Sequence, residues 1–584
     1  MICQAGIVKN IKNFSPGRLG QCFLMTVLLS FLVFSCKNTP STQNNVFSDT
    51  QRQQVSGGIA EEIRTLTETG VLSSMLQALE IIRVRNLSGV DFGRMMNGIN
   101  TLIIRLVYPD SLAVLPAVDL PQTYRYTQII RDGERGNYVK PPEASTDFFE
   151  HILPFLTIAK LLPGQGLPGD ISSQDIIRVL DKAEEIRPNS VLPSYFKGLL
   201  YERLNNLREA ERAYRKAYEI SGEFYPSQIS IARIIRLSGN PAQAAEAFSD
   251  LIIRYPDSRE IKRELAVSLF ETRDWPRALP AIDEILQTDP RDGDFLLMKA
   301  LLLLEQMQYS QSNAVLDTYA PINPNNRLYL YLRARVQAEG NRNRDSAMNY
   351  LRAILRTSPN DEEALILAVT LLMESTRPAD EIESKELLDR LRRIAGNSVN
   401  VLSLCLRDAV RRESWQEAQG FLNRVLAIRR TVQDLTDGYH IERNLGNNTR
   451  ALSFARELFE RDTSNNDNTL IYISALIDNA RRDEALRLLN SRMGSVSRGA
   501  QLSRYYFLRS RLQTNDEAIS GDLRSSLFED PKNLEANIGL FEYHIRRREE
   551  RRAATYLRNA LSIAPDNPAV RRYEREYASL LQRN

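Results

Sequence analysis

Four prolines, Pro256, Pro290, Pro324 and Pro359, fall 34, 34 and 35 residues apart. Between them apolar residues recur at three- and four-residue spacing in paired segments, the signature of amphipathic helices taken two at a time. A fixed period of this size confines the chain to an array in which each unit is a helix-turn-helix that must stack on its neighbours to bury its apolar face. At 584 residues the chain is too long for one ordinary core, whereas a one-dimensional stack has no such ceiling. Proline closes each unit because it has no amide hydrogen and its ring clashes with the preceding helical turn. Strand-like alternation is scarce after residue 145, so the expected fold class is all-α.

Residue sizes repeat along with the prolines. With 259–292 taken as one unit, Ala266 stands at position 8, Trp275 at 17, Ala278 at 20, Ile282 at 24, Ile285 at 27 and Pro290 at 32. The preceding unit gives Ala232, Ala244, Phe248, Leu251 and Pro256, and the one before it Gly198, Tyr201, Ala210, Tyr214 and Ala217. Residues 534–567 give Phe541, Ala553, Leu557, Ala560 and Pro565. Small side chains at the crossing let two antiparallel helices approach to roughly 8–10 Å, and the larger residue at position 24 fills the space between hairpins. Gly239-Asn240 and Gly446-Asn447 fall between the helices, where glycine tolerates a tight turn.

This pattern resembles the tetratricopeptide repeat family. The resemblance implies a right-handed superhelical solenoid of helical hairpins whose first helices line a concave groove, with repeat positions 2, 5, 9, 12 and 13 pointing into it. The matching residues here are Tyr195, Leu199, Arg233, Arg236, Arg263, Phe270, Leu297, Leu301 and Leu304. Arginine mixed with apolar side chains suits an extended or helical peptide carrying acidic groups. Ile229 and Arg263 stand where chaperone-binding members carry lysine, which disfavours that subclass. The segment Phe295 to Leu304 is apolar almost all round and has to be covered, either by the amino-terminal helices or by a partner.

The expected divisions are well-matched repeats over 191–361, divergent repeats over 362–533 that keep the second helix while the first is irregular, and a last repeat over 534–567. A capping helix over 568–584 follows, and ten or eleven hairpins are expected in all. Ahead of them, 59–190 shows helical patterns at about 59–86, 91–107, 147–162 and 172–187, interrupted by an irregular insertion over 108–146. Within the insertion, Tyr124 to Lys140 with Asp132-Gly133 at its middle reads as a β-hairpin or a loop.

The first 36 residues bear on the compartment. Residues 1–18 carry Lys9, Lys12 and Arg18 and no acid, and an apolar run follows from Leu19 to Ser35, the order of a secretory signal. Its end, Leu32-Val33-Phe34-Ser35-Cys36, resembles a bacterial lipobox of the looser, spirochaete-like kind, since the large Phe34 departs from the stricter motif. That resemblance implies a lipoprotein signal peptide over 1–35 and a lipidated, palmitate-type attachment at Cys36. Several acyl chains on one residue give lasting membrane attachment. The rival is an uncleaved anchor made by this run, whose 17 residues lie at the short edge of what spans a bilayer. Either arrangement puts the body outside the cytoplasm, on the periplasmic side of the inner or outer membrane. Residues 36–58, rich in Asn, Thr, Ser, Gln and Gly, are expected to form a flexible tether.

Composition narrows the function. Lysine and arginine total 76 against 73 aspartate and glutamate, interleaved along the chain, which argues against a nucleic-acid partner. Gly164-Gln165-Gly166-Leu167-Pro168-Gly169 matches the dinucleotide fingerprint letter by letter, but it joins two helices and carries a proline, so an interhelical loop is expected. Three isolated histidines, His151, His440 and His544, and no cysteine pair leave no zinc set. No cofactor, metal or catalytic motif is expected. The expected function is a membrane-anchored scaffold that binds envelope proteins or peptides through its groove during assembly of a cell-envelope complex. The alternative is a ligand-binding component of an uptake or polymer-export system, which needs an apolar tunnel near Leu297 to Leu304.

Overall fold

Two residues after each of the spaced prolines stands a side chain able to cap a helix: Ser258, Asp292, Asn326 and Asp361. In the computed structural model, which describes residues 57–111, 115, 125–134, 139–142, 144–159 and 172–582, all four are N-caps. They accept hydrogen bonds from the amides of Ile261, Phe295, Tyr329 and Ala364 at 3.3, 3.3, 3.1 and 2.9 Å. Proline therefore ends one hairpin and, within two residues, a capped helix begins the next. The expected signal segment, Cys36, the tether up to residue 56 and the loop at 164–169 lie outside the described residues, while Gly57 and Gly58, expected in the tether, open the first helix.

The regular elements among the described residues are all helices, and the chain divides after Tyr350 into two units. The first opens with α1 (Gly57–Glu68), α2 (Leu72–Val84), α3 (Asp91–Val107), α4 (Arg125–Glu134), α5 (Phe148–Ala159) and α6 (Ser173–Ile186). Helix pairs follow: α7 (Leu192–Arg203) with α8 (Leu207–Ile220), α9 (Tyr225–Leu237) with α10 (Pro241–Arg254), α11 (Arg259–Glu271) with α12 (Trp275–Thr288), and α13 (Gly293–Glu305) with α14 (Tyr309–Tyr319). Next come α15 (Arg327–Arg335), which runs into a π-helical turn at Val336–Gly340, and α16 (Arg344–Thr357), within which the division falls.

The second unit continues with α17 (Glu362–Met373) and α18 (Pro378–Ala395), α19 (Val399–Arg411) and α20 (Trp415–Leu426), α21 (Val432–Asn444) and α22 (Asn448–Arg461), and α23 (Asn466–Asp478) and α24 (Arg482–Met493). It ends with α25 (Ala500–Ser510) and α26 (Asp516–Glu529), α27 (Leu534–Arg546) and α28 (Glu550–Ile563), and the short α29 (Pro568–Glu576) and α30 (Ala578–Gln582). The chain is thus a solenoid of helical hairpins, eleven pairs from α7 to α28.

The crossing residues behave as their sizes require. Ala210, Ala244, Ala278 and Ala553 are wholly buried, and so are Tyr214, Phe248 and Ile282 at the larger position. Each large side chain of this kind contributes roughly 1.5–3 kcal/mol by leaving water. The turn is equally regular in nine of the eleven hairpins, those of α17 with α18 and of α25 with α26 being the exceptions. A residue with positive φ occurs at Asn205, Gly239, Arg273, Met307 and Arg342, and again at Glu413, Gly446, Ala480 and Arg548. Glycine occupies only two of these turns, at φ 95° and 76°. Elsewhere a side-chain-bearing residue takes the left-handed conformation, which the flanking helices impose. The one 35-residue period also has a physical cause. From N-cap to left-handed turn is 15 residues for Ser258 to Arg273 and for Asp292 to Met307, but 16 for Asn326 to Arg342. The extra residue is absorbed in the π turn that follows α15.

Four features differ from expectation. The pattern at 59–86 is two helices, because Gly70 breaks it at φ 74° and sits so close to the first repeat that a Cβ there would stand 2.4 Å from Leu192 Cγ. Among its described residues the stretch from Tyr124 holds no β-hairpin: 125–134 is helical, with Tyr126, Ile129 and Ile130 buried at helical spacing and Tyr126 in edge contact with Phe149 at 6.1 Å. Asp132-Gly133 falls in the last turn of that helix, not in a hairpin turn. First helices between 362 and 533 are continuous despite their weak sequence pattern, since stacking on both sides supplies the burial that the pattern does not advertise. The carboxyl-terminal cap is two short helices instead of one, with Tyr573 and Tyr577 laid on Phe541 at 5.1 and 5.2 Å.

Candidate functional site

The residues expected along the groove of the first unit fall into three groups. Tyr195 and Leu199, on α7, pack half-buried against the cluster of Ala210, Tyr214 and Ile234. The Tyr195 ring meets Tyr214 at 5.7 Å and Phe224 at 5.1 Å. Burial, and after it the charge of Glu260, holds the Tyr195 phenol above its ordinary pKa.

The second group is Arg233 and Arg236, one helical turn apart on α9. Arg233 Nε donates to Glu264 at 2.8 Å, its other nitrogens pair with Glu260 and, at 3.6 Å, with Glu202. Arg236 pairs with Glu264 and Glu271, both at 3.1 Å. Burial works against the Arg233 charge, but Glu202, Glu264 and Glu260 outweigh it and raise its pKa well above the ordinary value. Glu264 is the converse case: burial raises its carboxyl, yet the two arginines prevail and lower it. Glu260 goes the other way. Burial, opposed by Arg233 and reinforced by Glu264 and Asp110, leaves its carboxyl above the usual range.

Arg263 belongs to the third group, on α11. It pairs with Asp292, the cap of α13, and lies over the Phe295 ring at 4.6 Å. Phe270 closes against Trp275 at 5.6 Å. Leu297, Leu301 and Leu304 are only 1, 4 and 1 % exposed. All three groove arginines thus have carboxylates of their own chain, and the apolar stripe of α13 is sealed.

A contributor that sequence reasoning missed is Asp110, in the insertion. Its Oδ2 accepts from Ser258 Oγ at 2.9 Å and from the Glu260 amide at 3.1 Å, capping the amino terminus of α11. Two residues earlier, Tyr108 Oη donates to the Gly70 carbonyl at 2.9 Å and accepts from the Leu72 amide at 3.1 Å. The Tyr108 ring meets Phe224 and Tyr225 at 5.8 and 5.3 Å. Residues 108–110 therefore tie the amino-terminal helices to the second and third repeats. No local pattern could have announced a contact spanning 148 residues.

In the second unit, Asp478 at the end of α23 takes Arg443 of α21 at 2.8 Å and Arg511, just past α25, at 2.9 Å. His151 Nδ1 lies 2.8 Å from the Asp147 carbonyl, and His544 Nδ1 lies 2.8 Å from Glu549. Among the described residues no group of three or more His, Cys, Asp or Glu is placed to hold a metal ion. No helix among them is long and apolar enough to cross a membrane.

Three stretches match tetratricopeptide repeat families: residues 194–224, 238–293 and 269–336. The chain therefore carries tetratricopeptide repeats, the class of helical array whose extended surfaces hold other chains. No curated protein matches it. Among solved structures it is similar to YrrB, described as a tetratricopeptide repeat protein with an unusual peptide-binding site. The identity is 16 %, over 32 % of this chain and 95 % of that one, with a TM-score of 0.28. PilF of Pseudomonas aeruginosa is 19 % identical over 33 % of this chain and 86 % of its own, with a TM-score of 0.30. Yeast Tom70 is 12 % identical over 70 % and 96 %, with a TM-score of 0.29.

Proposed function

We propose that this protein is an extracytoplasmic scaffold, anchored through lipid on Cys36, that holds envelope proteins or peptides along the faces formed by its first helices. The observation that carries the reading is the repetition itself. Successive hairpins present equivalent first-helix positions, and an array of equivalent positions suits an extended partner better than a compact substrate. Of the nine groove candidates, Tyr195, Leu199, Arg233 and Arg263 are half-buried and so open to a partner, whereas Arg236, Phe270 and the three leucines of α13 are buried. The anchor rests on the order of charge, apolar run and cysteine in residues 1–36. The alternative of a small-molecule tunnel beside Leu297 to Leu304 is not favoured, because Leu297, Leu301 and Leu304 are only 1–4 % exposed and so do not line an open apolar channel.

The test is site-specific photocrosslinking in intact cells, with the reactive residue at Leu199 and, as control, at Ile253 on a second helix, 79 % exposed. The expected result is one recurrent protein adduct from position 199 and none from 253; equal capture from both positions, or from neither, overturns the groove assignment. Separately, Cys36→Ser is expected to move the chain from the detergent to the aqueous phase in phase partition. An unchanged partition sinks the anchor.

A further inference from the structure

On the face of the second unit made by α17, α19 and α21, Met373, Leu406 and Val410 floor a cavity of about 260 Å³ rimmed by Arg407, Arg411 and Asp437. A cavity of this size is below the range that encloses a whole small molecule and suits one or two side chains of a longer ligand. Its floor is aliphatic and its rim carries two cations and one acid.

The two cations are not equivalent. Arg411 is held by Glu381 at 3.6 Å and Asp408 at 3.9 Å. Arg407 is exposed and makes no hydrogen bond or ion pair with any described residue. Asp437 does not reach it: that carboxylate accepts from Gln433 at 2.9 Å and lies beyond ion-pair distance of Arg407. Burial, and then the neighbouring Asp434 charge, raises the Asp437 carboxyl above its ordinary range against the pull of Gln433, Arg407 and Arg429. Farther along the same row of first helices, Arg443 and Arg511 share the carboxylate of Asp478 at 2.8 and 2.9 Å. The molecule itself thus shows the partner that an arginine in this row takes, and Arg407 lacks one.

We infer that this cavity is a docking site for an extended acidic segment of a partner protein, which lays an aliphatic side chain on Met373, Leu406 and Val410 and offers a nearby carboxylate to the Arg407 guanidinium. Charge complementarity selects the acid, since the planar guanidinium can take a carboxylate through two parallel N–H donors. The aliphatic floor selects its neighbour in the segment. The inference rests on the protein-holding reading above but not on the anchor or on the first unit.

Fluorescence anisotropy on the full chain tests it, with a labelled peptide of repeated Leu-Glu-Glu, amidated at its carboxyl terminus so that only side-chain acids are offered. A Leu-Lys-Lys peptide is the control. The acidic peptide is expected to bind saturably and the basic one not to bind. Arg407→Glu is expected to weaken binding at least about tenfold, and Val410→Asp similarly, while Asp437→Asn strengthens it several-fold. Arg407 is exposed, so its replacement leaves the fold intact, which a circular dichroism melt checks. Equal binding of both peptides, no binding up to about 1 mM, or an unchanged affinity in Arg407→Glu overturns the site. Crosslinking failure at Leu199 with peptide binding through Arg407 would remove the groove of the first unit and leave this one standing; the reverse pair of results sinks this site alone.

Discussion

A Cβ built on Gly198 would stand 2.4 Å from Cε1 and 2.5 Å from Cδ1 of Tyr214, so the first hairpin closes only because position 198 has no side chain. The ring is in turn fixed by its hydroxyl, which donates to Glu202 at 2.7 Å. Both residues are wholly within the packed interior, and neither helix can retreat without opening the contact with α9. Gly198→Ala is therefore expected to destabilise the first unit by about 1–3 kcal/mol, as overpacking does. A lower denaturation midpoint checks this, and pairing it with Tyr214→Leu should recover part of the loss.

Met307 holds the left-handed turn between α13 and α14 at φ 60° while its side chain is 73 % exposed. It bears the steric cost of that conformation and gains little from burial. Met307→Gly is expected to stabilise the fold by about 0.5–1 kcal/mol, whereas Met307→Ala, which keeps a Cβ, gives no gain. A thermal melt separates the two.

Arg236 is nearly sealed, its side chain 4 % exposed between Glu264 and Glu271. Arg236→Met removes one partner from each of those carboxylates, and a cost of about 3 kcal/mol is expected. Arg233 still serves Glu264, so adding Glu264→Leu to Arg236→Met should lower stability further instead of restoring it. Chemical denaturation of the single and double variants ranks them.

Cys405 is 3 % exposed, and burial pushes its thiol from 9.0 up to about 11. The folded chain holds this proton more tightly than the unfolded one, so the associated stability is full below pH 9.0 and is lost as pH rises through about 11. At pH 8 the native thiol should alkylate about a hundredfold more slowly than in denaturant, from the lowered thiolate fraction alone. Alkylation at equal rates in both conditions would show that the thiol is not buried.

The hairpin period was legible because its signals are local. Proline at a fixed spacing, a small residue such as Ala244, Ala278 or Ser312 at the crossing and a cap two residues after the proline act within one or two turns of their own helix. The break at Gly70 was not legible, because it is set by Leu192 of a distant helix. The helix at 125–134 was hidden by Asp132-Gly133, a pair that favours turns when nothing else holds the chain, while burial of Ile129 and Ile130 overrides that preference here. Candidate groove positions could be counted from the repeat, but their electrostatic state could not. Whether Arg233 faces a partner or Glu202, Glu260 and Glu264 depends on side chains from three helices, and whether Arg407 has a counter-ion depends on where α21 places Asp437.

The sequence alone therefore determined that this chain stacks as helical hairpins and, where the spaced prolines recur, where a hairpin ends, because those events are governed by backbone donors, ring sterics and side-chain size at close range. Only the tertiary structure decided which cations are already satisfied, that Asp110 caps a helix 148 residues away, and that the leucines of α13 are sealed. Those outcomes follow from distances between segments far apart in the chain, which no single repeat encodes.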